Sequence, residues 1–229
     1  MKPIIIAIDG FSSTGKSTLA KQLAKHLNYV YVDTGAMYRA IALFAMQKQF
    51  INKNHFDQQA LIVALPSISL VFKWNEQLQI AEMFLNEVNV EKEIRTLEVS
   101  QNVSKVATIS EVRALLVKQQ QLMGQNKKLV MDGRDIGTVV FPDAELKLFM
   151  TASAETRAQR RFDELTAKGD QVSYEEIYKN VTERDFMDSN RADSPLVIAL
   201  DAIEIDNSYL SREEQFNLVL EIIKENFTA

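Results

Sequence analysis

The chain of 229 residues contains no cysteine, and this absence excludes several kinds of chemistry. A disulfide framework, a thiolate nucleophile, an iron–sulfur cluster and a cysteine-based zinc site all require that residue. Two histidines, His26 and His55, are present, and their separation argues against a histidine-rich metal site. The lack of cysteine also favours a reducing compartment.

Glycine and proline are scarce, with seven and four residues, so the chain is neither a low-complexity linker nor a fibrous repeat. No apolar run reaches the roughly 18 residues of a membrane span, and we expect neither a span nor a secretory signal. The net charge of −5 argues against broad electrostatic binding to nucleic acid or to an anionic membrane. We therefore expect a cytoplasmic protein with no nucleic-acid or membrane partner. It has no exposed heptad seam, which favours a monomer.

Five short apolar segments have the composition of strands in a buried parallel sheet. Helical patterns separate these segments, and the alternation predicts an α/β fold. The predicted strands are Pro3–Asp9, Tyr29–Asp33, Lys128–Asp132, Leu146–Thr151 and Ala202–Asp206. The predicted helices include Ser17–Leu27, one from the N-cap Ser110 to the stop signal Gly124, and two that open with the capping boxes Ser173–Glu176 and Ser211–Glu214.

The alternation is interrupted between Pro66 and Val90, where the pattern is typical of short antiparallel strands. We predict strands at Ile68–Phe72, Leu78–Ile80 and Phe84–Val90, with turns at Trp74–Glu76 and Asn86–Glu87. These segments predict a small inserted subdomain. The polar, arginine-rich stretch from Arg157 to Gly169 is a second candidate appendage.

The segment from Gly10 to Ser17, GFSSTGKS, matches the phosphate-binding pattern G-x-x-x-x-G-K-[ST] in full. An apolar strand precedes it and an amphipathic helix follows, as the P-loop requires. Its glycines let successive N–H groups surround a phosphate, and the helix N-terminus adds a positive dipole. Lys16, which we expect in an exposed loop, reaches the β- and γ-phosphates, and Ser17 offers its hydroxyl to Mg²⁺. The segment therefore predicts binding of a nucleoside triphosphate.

Two further loops follow predicted strands, at the edge where open α/β sheets bind ligands. Asp33–Arg39 carries an arginine, and Asp132–Thr138 carries two carboxylates around Arg134. Asp132 is placed like a Walker-B aspartate that supports Mg²⁺, and Arg134 like a phosphate clamp. Either loop could also be an ordinary turn with solvated charges. No N/T-K-x-D motif of a switch GTPase is present.

A stripe of charged residues lies late in the chain, within a predicted helix. Arg184, Asp188 and Arg191 recur at i, i+4 and i+7, so they share one helix face. Such a stripe is commonly a solvated face with salt bridges. A second group of basic residues lies near the start of the preceding helix, at Arg157, Arg160 and Arg161.

Taken together, these segments resemble bacterial cytidylate kinases over nearly the whole chain. The stretch Asp132–Pro142, DGRDIGTVVFP, is the most specific part, and the antiparallel insert resembles the enlarged subdomain of the long bacterial form. The chain departs from the family pattern at Phe11, Ser13 and Thr14, a difference that bears on the rate. The segments that carry the resemblance are Gly10–Thr18, Asp33–Arg39, Glu93–Thr96, Asp132–Pro142 and Arg184–Arg191.

The resemblance implies a single P-loop kinase domain over residues 1–229. Its core has a five-stranded parallel sheet with helices on both faces and comprises residues 1–33, 106–153 and 172–229. An antiparallel β-containing insert that binds the nucleoside monophosphate comprises residues 34–105. A short mobile lid comprises residues 154–171.

The resemblance further implies transfer of the γ-phosphoryl group of ATP to CMP or dCMP, with Mg²⁺ as cofactor. Thr34, Arg39, Arg134 and Arg191 match positions that hold the acceptor phosphate. Ser104, Arg113 and Asp135 match positions that read the cytosine edge, and Arg184 and Asp188 match positions at the ribose. The implied catalytic residues are Lys16, Arg134, Arg157, Arg161 and Arg191. The implied ATP-binding residues are Gly10, Phe11, Ser12, Ser13, Thr14, Gly15, Lys16, Ser17 and Thr18, and the implied metal ligands are Ser17 and Asp132.

Two alternatives stay open at this point. The same chemistry could act on another acceptor, UMP or AMP. A chain with a P-loop could also be a nucleotide-dependent regulatory module that hydrolyses ATP slowly.

Overall fold

A computed structural model describes residues 2–227 of the chain. Its strands, in chain order, are β1 (Ile5–Gly10), β2 (Val30–Asp33), β3 (Leu70–Asn75), β4 (Ile80–Leu85), β5 (Val88–Asn89), β6 (Leu129–Asp132), β7 (Leu146–Thr151) and β8 (Ile203–Asp206). Its α-helices are α1 (Lys16–Leu27), α2 (Thr34–Gln47), α3 (Gln58–Ala64), α4 (Leu97–Val106), α5 (Ser110–Met123), α6 (Ala154–Ala167), α7 (Tyr174–Asn190) and α8 (Arg212–Phe227).

Five of these strands form a parallel sheet in the order β2-β6-β1-β7-β8, with helices on both faces. β1 lies at the centre of this order. All six of its residues are buried, as expected for a strand covered on both faces. Ile8 pairs with Asp132 of β6 and Gly10 pairs with Met150 of β7. The carboxyl ends of β1 and β6 therefore lie side by side. The five predicted strands are confirmed, each end lying within two residues of its predicted position.

Two compact units divide the chain, and each has its own apolar core. The first contains residues 2–32 and 121–227, and its core joins β1 residues such as Ile6 and Ile8 to Leu19 and Leu23 of α1 and Val219 of α8. The second contains residues 33–120. The predicted insert, residues 34–105, lies within this second unit, and the further division into core, insert and lid stays a prediction.

The second unit carries the predicted antiparallel meander, in the order β3-β4-β5. Its three predicted strands are confirmed in number and in antiparallel direction, but their boundaries are wrong. Trp74 and Asn75, predicted to lie in a turn, belong to β3 and pair with Ala81 and Ile80 of β4. Phe84–Val90 is divided between β4 and β5, because Asn86 and Glu87 both have left-handed backbone conformations, with φ of 47° and 70°. Leu78 lies in the turn before β4 rather than in a strand.

Helix ends follow the capping signals in most cases. The side chain of Ser173 accepts from the Glu176 N–H and the Glu176 carboxylate accepts from the Ser173 N–H, which is the predicted capping box of α7. The corresponding pair, Ser211 and Glu214, opens α8 in the same way. Ser110 was predicted as an N-cap but is the first residue of α5. None of the helices within residues 2–227 has both the length and the apolar character of a membrane span.

Candidate functional site

The P-loop, residues Gly10–Ser17, connects β1 to α1. Gly10 has a φ of 138°, and a Cβ atom there would collide with the Met150 carbonyl of β7. Gly15 is the N-cap of α1 with a φ of 95°, in the left-handed region that favours glycine. Both glycines of the motif are thus required by the backbone. The N-terminus of α1 lies directly after this loop, as an anion site requires.

Lys16 is buried, with 5% of its surface exposed, so the expectation of an exposed position is wrong. The side chain folds back over the P-loop, where its ammonium donates to the Phe11 carbonyl and to the Thr14 hydroxyl. Burial lowers the pKa of Lys16 to about 7, and the positive charge of Arg134 adds to that effect. Asp132 and Asp9 oppose the shift in part. An anionic ligand beside Lys16 would favour its charged form.

Ser17 and Asp132 lie together at the carboxyl ends of β1 and β6. The Ser17 hydroxyl donates to Asp132 Oδ2 at 2.9 Å, and the Tyr31 hydroxyl donates to Asp132 Oδ1 at 2.7 Å. Asp132 is buried. Residues 2–227 contain no cluster of three or more acidic or histidine side chains that could hold a metal ion unaided. This pair of oxygen ligands suits Mg²⁺, which keeps several waters and binds substrate phosphates alongside one or two protein ligands.

Arg134 belongs to a network of alternating charges in which Asp188 and Arg191 are buried and Arg134 and Arg184 are partly buried. Its Nε donates to Asp188 Oδ2 at 2.9 Å. Burial alone would lower the pKa of Arg134, but Asp188 and other carboxylates outweigh it and raise the value. Burial alone would raise the pKa of Asp188. The pKa is lowered overall, because the nearby positive charges outweigh burial; these are Arg134, Arg184 and Arg191. Burial and the charge of Arg134 lower the pKa of Arg184 to about 10. Two members of this network, Arg134 and Arg184, place positive charge near Lys16.

Arg191 lies just beyond the end of α7, and its ψ of 145° is extended rather than helical. The prediction that it lies on the helix face with Arg184 and Asp188 is therefore wrong in its geometry. Its side chain is buried all the same, so it is not part of a solvated face. Arg191 Nε donates to the Ser194 carbonyl at 2.7 Å, and its Nη2 lies 3.8 Å from Asp135 Oδ1.

The three arginines of α6 have different surroundings. Arg157 is buried, forms an ion pair of 2.6 Å with Asp185, and donates to the Ser12 carbonyl of the P-loop at 3.4 Å. Its guanidinium also lies 5.2 Å from the centre of the Phe11 ring. Arg161 pairs with Glu164 at 2.8 Å, and Arg160 donates to the Asn207 carbonyl at 2.7 Å. α6 is thus linked to the P-loop through Arg157.

Four predicted substrate residues lie in the second unit. Thr34 and Arg39 are on α2, where Arg39 Nη1 donates to the Ile94 carbonyl at 3.1 Å. Ser104 is buried on α4. Arg113 is buried on α5, and its guanidinium lies 5.6 Å from the centre of the Tyr38 ring. The other predicted residues all lie in the first unit, at the P-loop, at Asp132–Asp135, on α6, on α7 and, for Arg191, just beyond the end of α7.

Several polar residues around the P-loop were not assigned a role from the sequence. Asp9 accepts hydrogen bonds from the backbone N–H groups of Ile136 and Gly137. Tyr31 orients Asp132, and Asn207 Nδ2 donates to the Thr14 carbonyl at 2.6 Å. Asp185 pairs with Arg157. The one signal for Asp9 is a carboxylate at the end of an otherwise apolar run, whereas nothing local marks Tyr31 or Asn207.

The five-stranded parallel sheet, the loop Gly10–Ser17 and the Ser17–Asp132 pair define a P-loop nucleotide-binding protein. A protein-family model described as cytidylate kinase matches residues 6–225. The chain belongs to the cytidylate kinase family, as the sequence predicted.

Individual relatives agree with this assignment. A cytidylate kinase of Flavobacterium johnsoniae is 72% identical over 225 residues, which cover 98% of this chain and 98% of that protein. A cytidylate kinase of Flavobacterium psychrophilum is 66% identical over 97% of this chain and 99% of that protein. A crystal structure of a protein from Eubacterium ventriosum, 12% identical, has a TM-score of 0.50 over 98% of this chain and 99% of that one, and shows the fold alone.

Proposed function

We propose that this chain transfers the γ-phosphoryl group of ATP to CMP or dCMP, giving ADP and CDP or dCDP. Membership of the cytidylate kinase family over residues 6–225 is the observation that carries this conclusion. The cluster of buried Lys16 and Arg191 with partly buried Arg134 and Arg184, in an acidic protein, fits it, because polyphosphate substrates require local positive charge.

The P-loop is proposed to hold the triphosphate of ATP. The loop leads directly into the N-terminus of α1, and the Lys16 ammonium, whose pKa burial lowers to about 7, lies over the loop at the Phe11 carbonyl and the Thr14 hydroxyl. Bound phosphates would restore the full charge of Lys16, since an adjacent negative charge favours the protonated amine. Lys16 would then neutralise charge that develops on the transferred group.

Mg²⁺ is the proposed cofactor, and when bound it would neutralise negative charge on the phosphates of the donor. Ser17 and Asp132 would hold it, because their oxygen atoms already lie within 2.9 Å of each other at the end of the P-loop. The Tyr31 hydroxyl holds the other Asp132 oxygen. The side chains that would bind the metal are therefore oriented in advance.

Arg134 and Arg191, both in the first unit, are proposed to bind the acceptor phosphate, and the family resemblance assigns the same role to Thr34 and Arg39. The Arg134 guanidinium is held by its Nε hydrogen bond to Asp188 and by donation from Nη1 to the Gly133 carbonyl at 3.1 Å. Its remaining N–H groups are proposed to bind the phosphate. Asp135 with Ser104 and Arg113 would read the base, and Arg184 with Asp188 the ribose. These residue roles are proposals that rest on the family resemblance and on the buried charges described above.

The reaction needs no covalent intermediate and no dedicated general base, because the acceptor phosphate is already anionic at neutral pH. Catalysis then consists of positioning and of charge stabilisation during an in-line transfer. Arg157, which contacts the P-loop carbonyl of Ser12, and Arg161 would contribute charge from α6. Closure of the predicted lid, residues 154–171, would exclude water and so suppress hydrolysis of ATP.

One assay tests the proposal directly. ADP release is measured with ATP and Mg²⁺ in the presence of CMP, dCMP, UMP or AMP, and with ATP alone. We expect fast release with CMP or dCMP, slower release with UMP and AMP, and very slow release with ATP alone. Release that is as fast without a monophosphate as with one would instead indicate a regulatory module. A cytoplasmic location and a monomeric state stay predictions, and size-exclusion chromatography with light scattering tests the second.

A further inference from the structure

Asp9 is the last residue before the P-loop glycine Gly10, and its carboxylate accepts hydrogen bonds from a segment 127 and 128 residues further along the chain. Oδ1 accepts from the Ile136 N–H at 2.8 Å and Oδ2 accepts from the Gly137 N–H at 2.7 Å. Asp9 is buried, with 5% of its surface exposed. A buried carboxylate that accepts two backbone hydrogen bonds is a strong and directional tether.

The segment that Asp9 holds is a π-helical turn, Ile136–Val140, directly after Asp135. The Asp135 carbonyl accepts from the N–H groups of Val139 and Val140, at 2.9 and 3.2 Å. The first N–H groups of a helical turn have no partner within it, and the side chain of the preceding residue often caps them. Here the Asp135 side chain makes no such cap, and the Asp9 carboxylate fills that place.

The surroundings of Gly137 show that this turn is tightly packed against neighbouring side chains. A Cβ atom at Gly137 would lie 3.1 Å from Lys147 Cδ and 3.4 Å from Asp9 Oδ2. Lys147 is itself held at its far end, where Nζ donates to Asp201 Oδ1 at 2.8 Å. The turn therefore rests against two side chains from adjacent strands, β1 and β7, and has little freedom to shift.

We propose that Asp9 is a positioning residue that holds the turn after Asp135 in register with the P-loop. On the proposed function, from which this inference starts, the P-loop binds the phosphoryl donor, while Arg134 and Asp135 bind the acceptor. Asp9 touches neither substrate. It acts through two hydrogen bonds that join β1, which ends at the P-loop, to the loop that carries Arg134 and Asp135.

Such a residue affects alignment more than affinity. Each loop binds its own ligand with its own side chains and N–H groups, whereas transfer requires both ligands in one geometry. Because a displacement of about 1 Å between reacting groups can cost about 100-fold in rate, a small shift of the turn should lower kcat. The dissociation constants of ATP alone and of CMP alone should change far less.

The substitution Asp9→Asn tests the proposed positioning role, because it retains the shape of the side chain and removes one acceptor oxygen. A carboxamide has a single acceptor oxygen, so one of the two N–H groups would face an NH2 group. We expect kcat to fall by about tenfold or more, with the dissociation constants of ATP and of CMP, each measured alone by calorimetry, within about threefold of wild type. Glu145→Gln is the matched control, because Glu145 accepts from the Ile5 N–H at 2.9 Å, at the opposite end of β1. It should leave kcat unchanged.

Gly137→Ala provides an independent variant if Asp9→Asn fails to fold. It keeps the Asp9 carboxylate and crowds the same turn against Lys147, so kcat should again fall while both dissociation constants are retained. If kcat in both variants stays within about twofold of wild type, or if it falls only in proportion to weaker binding of ATP or CMP, the inference is wrong. Wild-type enzyme without CMP-dependent ADP release would instead contradict the proposed function, which separates the two failures.

Discussion

The Ser17 hydroxyl donates a hydrogen bond of 2.9 Å to the carboxylate of Asp132, although 115 residues separate the two in sequence. Parallel pairing of β1 with β6 brings them together, because both strands end at the same edge of the sheet. The result is a pair of oxygen-bearing side chains at the last residue of the P-loop. This pair supports the proposed Mg²⁺ site.

Asp132→Asn should raise the Mg²⁺ concentration needed for half-maximal activity. The amide retains the shape but removes the negative charge, and Mg²⁺ binds carboxylate oxygens more strongly than amide oxygens. We expect an increase of about tenfold or more, corresponding to roughly 1.4 kcal/mol of binding free energy. Activity titrated with MgCl2 at fixed ATP measures it. An unchanged titration would remove Asp132 from the metal site.

Lys16→Ala should lower kcat far more than it raises KM for ATP. Its ammonium is expected to interact more strongly with the transition state than with bound ATP. Loss of activity by less than about tenfold, roughly 1.4 kcal/mol, would contradict the P-loop role. Lys25→Ala is the control, since Lys25 is exposed on the same helix, α1. Circular dichroism of both variants checks that the fold is retained.

Arg134→Ala should strongly lower kcat/KM for CMP and change the affinity for ATP little. The guanidinium is already fixed by Asp188, and its fork suits a phosphate. Arg134→Lys should restore little activity, because an ammonium is a point charge without the fork. Steady-state kinetics with each substrate varied in turn measures both effects, and Arg212→Ala, an exposed arginine at the start of α8, is the control. If Arg134→Lys retained most of the activity, the positive charge alone would explain the role of Arg134, and the fork geometry would not be needed.

Arg191→Ala should give the same pattern as Arg134→Ala. Arg191 is buried beside Asp135, and it is proposed to bind the same acceptor phosphate. We expect at least about a tenfold loss of kcat/KM for CMP, since hydrogen bonds to charged groups contribute about 1.5–3 kcal/mol. The measurement is the same substrate-varied kinetics. Full activity would show that Arg191 has a structural role through Ser194 alone.

Asp135→Asn should narrow the preference for CMP over UMP. An ionised carboxylate only accepts hydrogen bonds, so it suits the cytosine amino group and opposes the uracil carbonyl. Unpaired buried polar groups cost about 1–3 kcal/mol, which predicts a wild-type ratio of kcat/KM of roughly 5–150-fold. The variant adds an amide donor and should bring this ratio towards unity. If both substrates lose the same factor, Asp135 supports the loop rather than reading the base.

Asp9 should make stability depend on pH between about 4 and 6. Burial raises the pKa of Asp9 from 3.8 to about 6, although the N–H groups of Gly137 and Ile136 and the charge of Lys16 oppose the shift. The folded chain therefore binds this proton more tightly than the unfolded chain. The associated stability is fully present below about pH 4 and is lost as the pH rises through about 6.

At about 1.4 kcal/mol per pH unit, that change in the pKa of Asp9 corresponds to about 3 kcal/mol. Asp9→Asn has no such ionisation, so its free energy of unfolding relative to wild type should rise by about this amount between pH 4 and pH 7. Urea unfolding of both proteins across this range measures the difference. Parallel pH dependences in the two proteins would contradict it.

Local patterns in the sequence determined the five strands of the parallel sheet, the main helix signals and the P-loop. Burial on both faces accounts for the apolar run at residues 5–8 of β1, and a capping box such as Ser173–Glu176 satisfies backbone groups within four residues. The phosphate-binding pattern is equally local, since Gly10 and Gly15 are required by the backbone at those positions. Such features need no knowledge of distant residues, so the sequence alone was sufficient for them.

Only the tertiary structure decided the contacts that orient the site. The tether from Asp9 to the Gly137 N–H spans 128 residues and the hydrogen bond from Asn207 to Thr14 spans 193, so neither leaves a periodic signal. Lys16 is buried because its side chain folds back over the P-loop, and Arg191 reaches Asp135 from beyond the end of α7. These contacts depend on the strand order β6-β1-β7, because that order decides which loops lie next to one another. Hydrophobic periodicity predicts strands and helices but carries no information about strand order.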